Sequence, residues 1–258
     1  MFDEKKINFN HIKSFKSNNK KVDNFFYTVS DILIENALDQ IKINKNSKIL
    51  EIGSRNNIFE KKIRSKGIEH KFYQTTISEK ILLKNNYRLV ANSYDQTFKK
   101  NIFDVCFCLF SLNSCKNIPL AFENIYNILK VNGLFLSVFP SDECFKEFRL
   151  YFTDFFKPYK NYSFNPVLDI QTLGNLCSAS GFKNVIVDKE EFNFKIFKPE
   201  DTWNFIRHIG ESNYLSNRKE FKIKKSLYLK FYEKYKKEIN KGNLNKNTLS
   251  IYFLIGKK

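Results

Sequence analysis

The stretch Lys48-Ile49-Leu50-Glu51-Ile52-Gly53-Ser54-Arg55-Asn56-Asn57 limits the possible folds of this chain more than any other. A short apolar run ends in Glu-x-Gly, and a polar turn leads into a helical pattern over 58–66 that Gly67 closes. In open α/β sheets a ligand binds outside the carboxyl end of such a strand, where the chain turns into the next helix. Glycine is wanted there because the backbone must approach the ligand without a Cβ in the way.

The remaining pattern agrees with an α/β sheet. Residues 25–41 read as an amphipathic helix with Phe26, Val29, Leu33, Ala37 and Ile41 along one stripe. Before it, Phe9, Ile12 and Phe15 are spaced three apart and suggest a further helix. Strands are expected to begin near 48, 70, 87, 103, 134, 184 and 249, with helices over 78–85, 119–130, 169–179, 203–209 and 219–239 between them. The run 103–109 is apolar nearly throughout, as a central parallel strand buried on both faces should be. Asn132-Gly133 reads as the stop of the preceding helix. Alternating strands and helices predict a parallel sheet with right-handed crossovers. Past Pro140 the rhythm changes. Residues 142–156 form an aromatic-rich helical pattern that carries Phe145, Phe148, Tyr151, Phe152, Phe155 and Phe156 and needs cover, as a lid or a partner-facing element would.

Composition narrows the class. A 42% hydrophobic, 16% aromatic chain with 28 Phe has ample material for a core, and eight Gly and five Pro argue against flexible linkers. The net charge of +17 allows a polyanion partner. Only six of the 44 basic residues are Arg, the usual base-reading residue, so the charge is read as solubility and nucleic acid is not expected. The five Cys form no C-x-x-C pair and the three His are scattered, so no metal site is expected and reduced, buried thiols are. No apolar run is long enough to span a membrane, and the N-terminus lacks a signal-peptide core. A cytoplasmic protein is the expectation.

Glu51 and Gly53 lie where motif I of the S-adenosylmethionine-dependent methyltransferases has acid-x-Gly-x-Gly-x-Gly. Phe103-Asp104 and the turn Ile128-Leu129-Lys130-Val131-Asn132-Gly133-Leu134-Phe135 also resemble that family's pattern. Glu147 and Arg149 match a segment of one branch, and Gly210-Glu211-Ser212-Asn213 and the region 252–257 follow in that branch's order. Together these resemble the mitochondrial complex I assembly factor 5 group, reported to hydroxylate an arginine of a complex I subunit, and more distantly the biotin-synthesis malonyl-carrier-protein methyltransferases. The resemblance implies a Rossmann-like class I methyltransferase fold: a seven-stranded, mostly parallel sheet with an antiparallel last strand and an inserted helical lid. It implies one domain over 1–258, with N-terminal helices in 1–45, a cofactor-binding half in 46–140, a lid in 141–165 and a C-terminal half in 166–258. S-adenosylmethionine is the implied cofactor, held by Glu51, Gly53, Ser54, Arg55, Thr76, Ile77, Asn92, Leu109 and Phe110. Glu147 and Arg149 are the candidate catalytic residues. A respiratory complex I subunit or an acyl carrier protein is the implied partner.

The sequence departs from the family pattern at several of these positions. Arg55 and Asn57 replace the second and third glycines, and a long cation at the former should crowd the methionine end of the cofactor. Thr76 stands where the family has an acid that accepts the ribose hydroxyls, and one hydroxyl is a weaker acceptor than a carboxylate. Asn92 replaces an Asp whose role its amide oxygen can fill. Asn113-Ser114 replaces a His-Trp pair. Three readings stay open: an active S-adenosylmethionine-dependent enzyme, a catalytically silent assembly or scaffold protein of the same fold, and an RNA methyltransferase or RNA-binding module favoured by charge alone.

Overall fold

The computed structural model describes residues 2–16, 19–54, 58–67, 71–81, 87–95, 97–157, 164–217 and 223–258. Two helices lead in, α1 (Glu4–Phe15) and α2 (Lys20–Gln40), each started by a side chain, Asp3 and Asn19, that accepts N–H groups of the first turn. Strand β1 (Lys48–Glu51) runs into α3 (Ile58–Ser65), followed by β2 (Lys71–Thr76), β3 (Arg88–Val90) and β4 (Phe103–Leu109). Next come α4 (Ile118–Ile128), β5 (Leu129–Pro140), α5 (Lys146–Phe156) and α6 (Ile170–Ala179). The chain then forms β6 (Lys183–Lys195), α7 (Pro199–His208), α8 (Lys225–Asn240) and β7 (Lys246–Lys257).

These strands make one seven-stranded sheet in the order β3-β2-β1-β4-β5-β7-β6. The first five are parallel, and β7 is antiparallel to both β5 and β6. Alternating side chains of β4, β5 and β7 feed two cores. Val105, Phe107, Leu136 and Phe253 face α2, α3, α5, α7 and α8, while Cys106, Cys108, Phe135 and Leu254 face α4 and α6. The chain order reverses between β1 and β4, so the crevice outside their carboxyl ends is the ligand position of a doubly wound sheet.

Several boundaries differ from the sequence expectation, and three have a clear physical reason. Strand β5 begins at Leu129, because Asn132 (φ 63°) and Gly133 form an irregularity inside the strand instead of a helix stop. A Cβ on Gly133 would lie 2.8 Å from the Lys130 carbonyl oxygen, so the close backbone approach requires glycine. Strand β6 extends to Lys195, well beyond 188, through exposed charged residues that hide its alternation. In place of the helix over 78–85 there is a single 3-10 turn at Glu79–Ile81, and residues 82–86 lie outside the described ones.

Candidate functional site

The β1–β2 ladder continues past the strands into the turn. Ser54 donates its N–H to the Thr75 carbonyl (2.7 Å), and the Gly53 N–H donates to Thr75 Oγ1 (3.0 Å). Gly53 is left-handed (φ 67°), and an added Cβ would meet the Ser111 side chain at 2.4 Å. Ser111 fills that space and donates its hydroxyl to the Gly53 carbonyl (2.6 Å). It follows Phe110, a non-glycine residue at φ 52° whose ring is buried against Phe25 and Phe26 of α2. A bulky residue in that conformation is strained, and such strain concentrates at ligand clamps.

Glu51 lies beneath this turn, 3% exposed. Gln74 Nε2 donates to Glu51 Oε2 (2.6 Å) and to Ser54 Oγ (3.0 Å). Burial pushes the Glu51 carboxyl up to about 7, against the opposing effect of the Gln74 and Ser54 hydrogen bonds and the positive charge of Arg88. Arg88 itself pairs with Glu60 of α3 (3.1 Å), which also holds Arg64. Next to the turn, Thr76 is 4% exposed, and its hydroxyl has no partner among the described residues. Arg55 and Asn57 lie outside the described residues.

A cleft of about 180 Å³ opens at the carboxyl end of β1, β2, β3 and β4. Ile77 lines it after β2, Asn92 and Tyr94 after β3, and Ser111, Ser114 and Cys115 after β4. Its remaining wall comes from α1, through Glu4, Ile7, Asn8 and His11. Glu4 joins the loops on either side, accepting from Lys116 Nζ (2.6 Å) and the Tyr94 hydroxyl (3.2 Å). Those contacts hold its carboxyl below the usual range. The Asn92 amide donates to Asp95 (3.2 Å). Among the expected cofactor residues, Ile77 and Asn92 line this cleft, Thr76 adjoins it and Glu51, Gly53 and Ser54 form the turn beside it. Leu109 and Phe110 are buried behind it.

A second cavity of about 70 Å³ lies beside α5, with Phe145, Phe148, Phe164 and Ile206 among its apolar walls and Arg149, Asn165 and Glu211 as its polar ones. The Arg149 guanidinium sits 4.9 Å from the centre of the Phe164 ring and donates to the Asp142 carbonyl. Glu147 lines neither of these cavities. Its carboxylate accepts from the Thr248 N–H (2.8 Å) and hydroxyl (2.6 Å), fastening α5 to the start of β7. As expected, α5 packs at the carboxyl end of β5, and none of its six rings from Phe145 to Phe156 is exposed. Asn113, which precedes Ser114 of the first cleft, donates its Nδ2 to Glu211 Oε2 of the second cavity (2.8 Å), and its carbonyl accepts from the Tyr214 hydroxyl (3.1 Å).

Sequence reasoning missed the contribution of α1. The Phe9-Ile12-Phe15 spacing that suggests this helix does not mark its buried face, for Phe9 is 55% exposed and Ile7, Asn10, His11 and Ser14 are buried. The signal available was the spacing Glu4, Ile7, Asn8, His11, which puts all four on one side of a helix. It also missed Tyr214, 1% exposed, whose hydroxyl donates to the Asn113 carbonyl.

A family model described as a methyltransferase domain matches residues 24–187. The chain belongs to this family. Human arginine-hydroxylase NDUFAF5, a mitochondrial protein, is 26% identical to this methyltransferase-family chain over 73% of it and 57% of the human protein. The Dictyostelium discoideum protein of the same name is 24% identical over 95% of this chain and 64% of its own length. The chain thus matches about three fifths of the length of these curated relatives. Among solved structures, Haemonchus contortus phosphoethanolamine N-methyltransferase 2 with S-adenosylhomocysteine covers 90% of this chain and 52% of its own, at a TM-score of 0.52 and 14% identity. An Archaeoglobus fulgidus S-adenosylmethionine-dependent methyltransferase covers 90% and 93%, at a TM-score of 0.51 and 15% identity. The fold is therefore that of class I methyltransferases. No helix among the described residues is long and apolar enough to cross a membrane, and no group of three or more potential ligands there could hold a metal ion.

Proposed function

We propose that this protein is an S-adenosylmethionine-dependent enzyme of the methyltransferase class, that its cofactor's nucleoside end occupies the cleft beneath α1, and that its acceptor is a protein side chain. The observation that carries the reading is a cleft at the sheet's switch point, lined by Ile77, Asn92 and Ser111, with the buried, unpartnered Thr76 hydroxyl one residue before Ile77. A buried hydroxyl without a partner is a place where a ligand's polar group fits. Ile77 would pack on the base, the Asn92 amide would meet the base's polar edge, and the Gly53–Ser54 backbone would carry the chain past the rest of the cofactor. Typical ligand pockets hold roughly 300–1,000 Å³, so the cleft takes part of such a molecule, and the remainder extends past Gly53 and Ser54. When bound, S-adenosylmethionine supplies an electrophilic methyl group.

The acceptor enters from the second cavity, where Arg149, Glu211 and Asn165 surround an aromatic floor and Glu211 accepts from Asn113, the neighbour of Ser114 in the first cleft. The relatives named as arginine hydroxylases support a protein client, and the sequence resemblance points to one from respiratory complex I. Free, buried cysteines agree with a reducing, cytoplasmic setting.

Calorimetric titration of the purified protein with S-adenosylmethionine and S-adenosylhomocysteine tests the cofactor reading. Dissociation constants in the micromolar range are expected for both, and no heat of binding at millimolar ligand would sink it. Arg55→Gly should then tighten both by about tenfold, roughly 1.4 kcal/mol, if the long side chain crowds the methionine end.

A further inference from the structure

Helix α1 turns an unusual face inward. Its buried residues include Asn10, His11 and Ser14, whereas Phe9 is exposed. Part of this polar face serves the protein itself: Asn10 donates to the Ser212 carbonyl (2.6 Å) and Ser14 to the His208 carbonyl (2.5 Å). Asp3 at its start donates its N–H to the Tyr214 carbonyl (2.8 Å). With Glu4 bonded to Lys116 and Tyr94, the helix is fixed across the cleft by contacts that require no ligand.

Asn8 is different. It lines the cleft, one turn from both Glu4 and His11, and its side-chain oxygen is buried with no hydrogen-bond partner among the described residues. Leaving a buried acceptor unpaired costs about 1–3 kcal/mol. Thr76, the residue before Ile77 of the cleft wall, has its own unpaired hydroxyl, and a ribose offers two hydroxyl donors that need acceptors. Neither group alone is a match for that diol, but an amide and a hydroxyl together can each accept and donate one bond.

We propose that Asn8 supplies the ribose-hydroxyl contact that the end of β2 lacks, so that α1 is part of the nucleoside site and more than its cover. The inference rests on the cofactor reading above. It makes recognition of the sugar a shared task of Thr76 and Asn8, with the docking of α1 placing Asn8 in the same cleft wall as Ile77.

The test is calorimetric titration with S-adenosylhomocysteine and with its 2′-deoxy and 3′-deoxy forms, for the unmodified protein, Asn8→Ala and Asn8→Asp. Asn8→Ala should bind S-adenosylhomocysteine about tenfold more weakly and should lose the discrimination against one of the two deoxy forms. Asn8→Asp, which restores a charged two-oxygen acceptor, should bind at least as tightly as the unmodified protein. Equal affinities in Asn8→Ala and the unmodified protein, or a loss equal for all three ligands, would overturn the role of Asn8 and leave the cofactor reading standing. A tenfold loss in a folded Asn8→Asp would overturn it as well. If the unmodified protein binds none of the ligands, the cofactor reading fails first and this inference fails with it.

Discussion

Helix α5 and helix α1 both cover the carboxyl end of the sheet. Under α5, Phe148 and Phe156 are buried and Tyr151, Phe152 and Phe155 pack against Trp203, Phe231 and Tyr235, with ring centres as close as 4.4 Å for Phe152–Phe156. Beneath α1 the buried Ile7 is joined by hydrogen bonds and one ion pair, and the side-chain oxygen of Asn8 has no described partner. An apolar seam gains nothing from water, so opening it exposes surface worth about 25 cal/mol per Å². A polar seam exchanges its bonds for bonds to water at a net cost of about 0.5–1.5 kcal/mol each. Opening the α5 seam therefore costs more than opening the α1 seam.

The largest test of this contrast is Phe231→Ala. Phe231 is fully buried and its ring lies 5.2–5.9 Å from those of Phe152, Phe155, Phe156, Trp203 and Tyr235. Truncation should cost about 3–5 kcal/mol of stability in urea unfolding. A loss below about 1 kcal/mol would mean that the aromatic seam does not hold the C-terminal half together.

On the polar side, the raised Glu51 carboxyl makes stability depend on pH. The folded state holds this proton more tightly than the unfolded chain, whose Glu titrates near 4.5. Its contribution is therefore complete below about pH 4.5 and is lost as pH rises through about 7. Unfolding measured across that window should show a decline in the unmodified protein that Glu51→Gln abolishes, a difference on the order of 3 kcal/mol. Parallel curves for the two proteins would place Glu51 in a wetter setting than the one described.

The smallest effect is expected at the latch. Glu4→Gln removes an exposed ion pair of the kind worth about 0–1 kcal/mol, so global stability should hardly move. Amide exchange in α1 alone should speed up, by at most about fivefold, and high salt should reproduce the change in the unmodified protein. Faster exchange throughout the sheet would show that α1 and the core open together.

How much of this was readable in the chain depended on what a residue faces. Apolar runs such as 103–109 fixed the central strands, and the topology alone put Thr76, Ile77 and Asn92 near the cleft, because ligands gather at strand ends whatever the side chains. The Phe-rich lid was legible because so many rings on one helix must be covered. The α1 wall was not, since a helix that turns Asn8, Asn10 and Ser14 inward offers no hydrophobic stripe. Strand β6 was cut short for a similar reason: the exposed run Lys189-Glu190-Glu191 breaks the alternation, although each residue pairs with β7. Glu147 showed its resemblance to a family position, but only the structure showed its carboxylate bonded to Thr248.

The place of β7 between β5 and β6 bears on how the chain is made. Strand β6 pairs only with β7 among the described strands, and the turn into α5 is tied to β7 through Phe145 and Glu147. On the ribosome β6 must wait while α7 and α8 are synthesised, about 3–10 s at ordinary elongation rates. Until β7 emerges, the nascent sheet stops at β5, whose unpaired edge is the apolar run from Leu134 to Phe139. The protein is born with the parallel part of its sheet complete and a sticky edge open beside it, and a nascent-chain chaperone that shields exposed strand edges would have its longest opportunity there.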